Sequence, residues 1–127
     1  MKGKGQKLID EARKNNLCPI FFAAVCAHES DIGKSYLSRQ NNNVFGTFIK
    51  GKYHTFESVD KSIEYAAKSL GRSKLYAGGD NFTILGIQQT YCPVGAGNDP
   101  KGINKYWLGG VMDWMARIWG KEVHIML

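Results

Sequence analysis

The apolar positions of this chain recur mostly at helical spacing and are broken by short polar stretches. Leu8, Ile9 and Ala12 form a narrow apolar face and predict a helix from about Gln6 to Asn16. Asn15-Asn16 end it, and Pro19 then stands where a first helical turn tolerates a missing N–H. From Pro19 to Ser30 the chain reads PIFFAAVCAHES, apolar on every side until His28. A helix apolar all round is buried all round, so this segment is expected to be the central helix. The stretch from Gly33 to Asn43 is polar and is assigned no element; it ends in three consecutive asparagines. Val44 to Phe56 predicts a short β-hairpin turning at Gly51-Lys52. Ser58 reads as an N-cap, followed by Val59, Ile63, Ala66, Ala67 and Leu70 at helical spacing, with Gly71 closing the helix. Gly78-Gly79-Asp80-Asn81 reads as a loop, and a short apolar helix is expected from about Phe82 to Thr90. Tyr91 to Gly102 has no periodicity and reads as a loop. A last helix lies within Asn104 to Trp119, with Trp107, Leu108, Val111, Met112, Trp114, Met115, Ile118 and Trp119 on one wide face. Gly109-Gly110 weaken its start. The pattern predicts an α+β fold, mainly α, with about five helices around a buried central helix and one small hairpin lobe.

At 127 residues the chain is sized for one domain, expected to run from residue 6 to 127 behind a flexible residue 1–5 terminus. Hydrophobic residues make up 43% and charged residues 22%, which excludes a disordered chain. Lys and Arg exceed Asp and Glu by 17 to 11, and the net charge of +6 points to an anionic partner. No recognition-helix or RNA-binding aromatic signature accompanies the scattered basic residues, so nucleic acid is not expected. The longest apolar run, Leu17 to Ala27, falls short of the roughly 20 residues of a membrane-spanning helix. The polar start gives no sign of a secretion signal, so synthesis in the cytoplasm is expected. Cys18, Cys26 and Cys92 are too few for a disulfide framework. On one helix, Cys18 and Cys26 would lie about 12 Å apart. That exceeds the roughly 7 Å limit between bridged Cα atoms.

Glu29 is the most informative residue. A carboxylate at the C-terminal end of a buried helix meets both the negative end of the helix dipole and apolar surroundings. Both disfavour its charged form and suit a general acid. A helix that simply shows its first charge at the surface is the alternative. No structural metal and no cofactor are expected. His28-Glu29 opens an HExxH-like pattern, but Ile32 stands where the second histidine belongs. Gly33-Lys34-Ser35 lacks the first glycine of a phosphate loop. Tyr91 reads as a core or rim aromatic that could also present its hydroxyl to a cleft; Trp107, Trp114 and Trp119 could stack on sugars or bases, but their helical spacing favours core packing.

The segment Ala23-Ala24-Val25-Cys26-Ala27-His28-Glu29-Ser30-Asp31-Ile32-Gly33-Lys34-Ser35 resembles the helix-end motif of the glycoside hydrolase family 73 glucosaminidases. Asn43-Val44-Phe45-Gly46 is similar to the family's Asn-x-Phe-Gly, and Phe56 to Ile63 is similar to its Tyr-x-Ser-x-x-Glu-Ser-Ile segment. Tyr91 falls where the family carries a tyrosine. The resemblance implies a lysozyme-like fold whose cleft holds a peptidoglycan strand. It implies Glu29 as catalytic acid and Tyr91 as a residue needed near the scissile sugar. His28, Asn43 and Phe45 become candidate substrate-binding residues, although Lys34, Ser35, Asn43 and Phe45 match positions that look mainly structural.

Asp31-Ile32 stand where the family has Gly-Trp, and no clear counterpart of a second carboxylate follows in the short hairpin. Glu57 and Asp31 are the fallback candidates for it. The implied activity is cleavage of the β-1,4 bond between N-acetylglucosamine and N-acetylmuramic acid. A lytic transglycosylase or muramidase acting on the same strand is the alternative, and a non-catalytic basic wall-binding or nucleic-acid-binding module is a third reading. The positive charge would hold a monomeric enzyme near anionic wall polymers. It would act on the wall as a phage lysin released through a holin, or as a domain of a larger exported autolysin.

Overall fold

A computed structural model of the chain describes residues 3–72 and 102–119. The expected helix from Phe82 to Thr90, its flanking loops, Tyr91 and Cys92 lie outside the described residues.

Helix α1 spans Gly5–Lys14. It stops short of Asn16 because the Asn15 side chain donates to the Glu11 carbonyl (2.8 Å) and Asn16 turns left-handed at φ 58°. Lys4, ahead of the helix, pairs with Asp60 at 2.8 Å. Helix α2 spans Pro19–Ser30, the bounds expected from sequence. Phe21, Phe22, Ala24, Val25 and Cys26 are buried in it, and it packs against α1 on one side. Burial pushes the Cys26 thiol up to about 12, so it behaves as a small apolar side chain.

A further helix, α3, spans Tyr36–Asn41 in the polar stretch left unassigned above. It has no apolar stripe; its caps form it. Ser35 accepts from the Ser38 N–H (3.2 Å) at one end, and Asn42 turns left-handed at the other. The antiparallel strands β1 (Phe48–Ile49) and β2 (Lys52–Tyr53) pair Phe48 with Tyr53 and Ile49 with Lys52. Their turn is Lys50-Gly51, one residue earlier than expected. Both residues have positive φ, 52° and 79°, as a two-residue primed turn requires.

The three asparagines stitch this small lobe to the helices. The Asn41 side chain donates to Thr55 Oγ1 (2.6 Å), and that of Asn42 to the Phe56 carbonyl (3.0 Å). Asn43 is buried; it donates to the carbonyls of Thr47 and His54 (both 2.9 Å) and accepts from the Thr47 N–H (2.8 Å).

Helix α4 spans Val59–Arg72, with Ser58 Oγ accepting from the Lys61 N–H (3.2 Å) as the expected cap. Gly71 does not end it. It lies inside the helix, and glycine is required there because a Cβ would stand 2.6 Å from the carbonyl oxygen of Asn15, the residue that caps α1. A 3₁₀ turn, Ile103–Tyr106, leads into helix α5, Trp107–Trp119. Helix α5 packs along α2, with Trp107 and Val111 buried. The wide apolar face expected of it is narrower, since Met112 and Ile118 are exposed among the described residues. Among the described residues the fold is therefore mainly helical, built around a central α2, with one small antiparallel sheet, a lysozyme-like α+β arrangement.

Candidate functional site

Glu29 occupies the last turn of α2, where that helix emerges from the core. The Trp107 indole N–H donates to its Oε1 at 3.0 Å. Its Oε2 faces Gly46, where a Cβ would stand 3.9 Å away. Burial raises the Glu29 pKa above the ordinary carboxyl value, and the indole hydrogen bond partly opposes the rise. The carboxyl thus has one oxygen held by a fixed donor and the other against a loop that carries no side chain at Gly46.

The neighbouring residue meets the same helix. The half-buried His28 imidazole lies against Gly110, where any Cβ would overlap it, and burial lowers its pKa. Consecutive residues at the end of α2 therefore grip residues 107 and 110, about one turn apart on α5. Phe21, two turns back on α2, meets the Trp107 ring edge-on at 6.5 Å. The glycine that weakens α5 as a helix is what lets α5 approach α2 closely.

The other residues singled out in the sequence separate into two groups. Asn43 and Phe45 are buried: Asn43 pins the hairpin, and Phe45 stacks on Phe22 at 4.7 Å. Asp31 and Glu57 are exposed, and among the described residues no hydrogen bond joins either to Glu29. Asp31, Ile32 and Gly33 all adopt positive φ (50°, 56° and 80°). Asp31 and Ile32 thus hold a conformation that glycine adopts freely and a β-branched residue rarely does. Tyr91 lies outside the described residues. The sequence reading of Trp107 favours core packing over stacking on sugars or bases and does not foresee a hydrogen bond to Glu29. The signal that could have found its second role is general: a buried indole N–H seeks an acceptor, and Glu29 is the carboxylate at the end of the buried helix.

Among the described residues, no three His, Cys, Asp or Glu side chains gather as a metal ion would need. No described helix is long and apolar enough to cross a membrane.

Residues 5–106 match the glucosaminidase family model, whose description is mannosyl-glycoprotein endo-beta-N-acetylglucosaminidase. The chain belongs to the glucosaminidase family. No curated protein matches it. Membership places this glucosaminidase domain among the glycoside hydrolases. The match runs from the first residue of α1 to the end of the 3₁₀ turn and stops one residue before Trp107. The donor that holds Glu29 thus stands just beyond the matched segment.

Proposed function

We propose that this glucosaminidase domain is a peptidoglycan hydrolase of the family 73 type. It cleaves the β-1,4 bond between N-acetylglucosamine and N-acetylmuramic acid, with Glu29 as general acid. The observation that carries the reading is the Glu29 carboxyl: raised in pKa by burial, held through Oε1 by the Trp107 indole, with Oε2 facing Gly46. A carboxylic acid kept protonated near neutral pH can give its proton to a glycosidic oxygen as the C1–O bond breaks. Tyr91 is assigned beside the scissile sugar on the family resemblance.

The group that meets the anomeric carbon distinguishes the possible routes. A second carboxylate would stand about 5–5.5 Å from Glu29 for retention, or about 6.5–9.5 Å for inversion. Glu57 and Asp31 are the exposed candidates. Without one, the substrate's own 2-acetamido oxygen attacks C1, and water then opens the cyclic intermediate and returns a proton to Glu29. A lytic transglycosylase would use the same Glu29 but deliver the muramic acid 6-hydroxyl to C1.

Digestion of purified bacterial walls, with mass spectrometry of the fragments, tests the proposal. A reducing N-acetylglucosamine end supports it; a 1,6-anhydro-muramic acid end assigns the transglycosylase reaction instead. Glu29→Gln is expected to lower the rate by about 10²–10⁴-fold while keeping an oxygen for Trp107. Full activity in that variant refutes Glu29 as the acid. Binding to walls without any new reducing end, by the native chain, assigns a non-catalytic wall module.

A further inference from the structure

We infer that Trp107 is the positioning residue for the acid, fixing Oε1 of Glu29 as the acceptor oxygen and leaving Oε2 as the one that carries and delivers the proton. The inference rests on the reading of Glu29 as the acid.

An indole N–H donates and cannot accept. The Glu29 oxygen facing it must therefore present a lone pair, whatever the charge of the carboxyl. A carbonyl oxygen is a better acceptor than the hydroxyl oxygen of a carboxylic acid, so when Glu29 is protonated the indole bond favours the proton on Oε2. That is the oxygen beside Gly46, on the side of the hairpin lobe. The indole is itself immobilised. Trp107 is 3% exposed, its ring packs edge-on against Phe21, and it is the first residue of α5. Three residues on, Gly110 lies under the His28 ring, which sets the register of α5 along α2. The N–H is thus aimed by packing at two points, and the carboxyl has no need to be ordered by substrate.

The same bond gives the group its second function. A donor favours the charged form of a carboxyl, so it steadies the carboxylate left after the proton has gone. Burial works the other way. Trp107 therefore keeps a buried acid from holding its proton too tightly to release it. The surroundings supply the acidity range and the indole supplies both direction and release.

The test replaces the donor and keeps the ring. Trp107→Phe removes the N–H, and benzothienylalanine placed at position 107 by semisynthesis removes it with nearly the same shape. Two readouts are taken: the Glu29 carboxyl titration, followed by NMR in protein carrying [13Cδ]glutamate, and the pH profile of wall digestion. In both variants the Glu29 titration and the alkaline limb of kcat are expected to move to higher pH. At the optimum, kcat is expected to fall about tenfold, as loss of one charge-assisted hydrogen bond implies, with KM within about twofold. Trp107→His, which keeps a ring N–H, is expected to recover part of kcat. An unmoved Glu29 titration in the benzothienylalanine protein overturns the inference, even if Trp107→Phe fails to fold. The carboxyl titration does not depend on activity. If Glu29→Gln stays active, the acid assignment falls, and the NMR result still decides whether Trp107 orients that carboxyl.

Discussion

The contact between Gly110 and His28 offers a sharp test of how α5 is seated. A Cβ on Gly110 would overlap the imidazole ring, so Gly110→Ala must expel either the ring or the helix. Overpacking of this kind costs about 1–3 kcal/mol. The ring is half-buried and has a way out toward solvent, which favours the lower part of that range. Against it, alanine inside a helix gains about 0.8–1 kcal/mol over glycine. The net expectation for Gly110→Ala is a loss of about 0–2 kcal/mol. In a His28→Ala background the seat is empty, and the same substitution should gain up to about 1 kcal/mol. The two therefore couple by about 1–3 kcal/mol with the double variant more stable than the singles predict. Urea unfolding of the four proteins at pH 7.5, where His28 is neutral, measures this from the midpoints, provided the m-values agree. Additivity within about 0.5 kcal/mol would show that the ring and the glycine do not meet, and would refute the seating argued here.

Three other outcomes follow from the packing and the site. Asn43→Asp keeps the acceptor but loses the donor to the Thr47 and His54 carbonyls in a buried place, at a cost of about 2–4 kcal/mol read by thermal melting; a loss below about 0.5 kcal/mol would show that the lobe is held elsewhere. Gly71→Ala puts a Cβ 2.6 Å from a backbone oxygen that cannot rotate away, so it should destabilise by about 1–3 kcal/mol despite its better helix propensity, and a stabilised variant would contradict the close approach of α1 and α4. Glu29 has a folded pKa above its unfolded value, so its contribution to stability is complete in acid and is lost as pH rises from about 4.5 through the folded pKa. Glu29→Gln removes that loss, so the variant should match the native protein in melting at pH 4 and exceed it at pH 7; a variant less stable at pH 7 would show the carboxylate to be favoured in the fold.

Different parts of this fold were written at different ranges. Helix α2 was legible to the residue because its signals are local: a proline at its first turn and an unbroken apolar run behind it. Ser58 was legible as a cap for the same reason. Helix α3 was not, since pattern reading looks for an apolar stripe and this helix rests on its caps. The glycines misled because their meaning lies across the molecule. Gly71 read as a helix end and Gly110 as a weak point, whereas each is the place where another segment, Asn15 or His28, comes too close for a side chain.

The candidate site divides in the same way. Glu29 could be picked out because burial and helix end are properties of its own segment. Its donor could not, because Trp107 is 78 residues away and its helical spacing says only that it faces inward. The loop that faces Glu29 Oε2 shows the point again. A run of three asparagines reads as a polar connector, yet each side chain is spent on the hairpin lobe. Asn43 binds Thr47 through both its amide groups, and Gly46, the residue that faces Glu29 Oε2, lies between them in sequence. The asparagines therefore hold the loop opposite the acid, while α5 holds the acid from behind. Periodicity encodes which side of each segment is buried. The geometry of the carboxyl is decided by which segments meet there, and that is carried by a few polar groups and glycines that no period reveals.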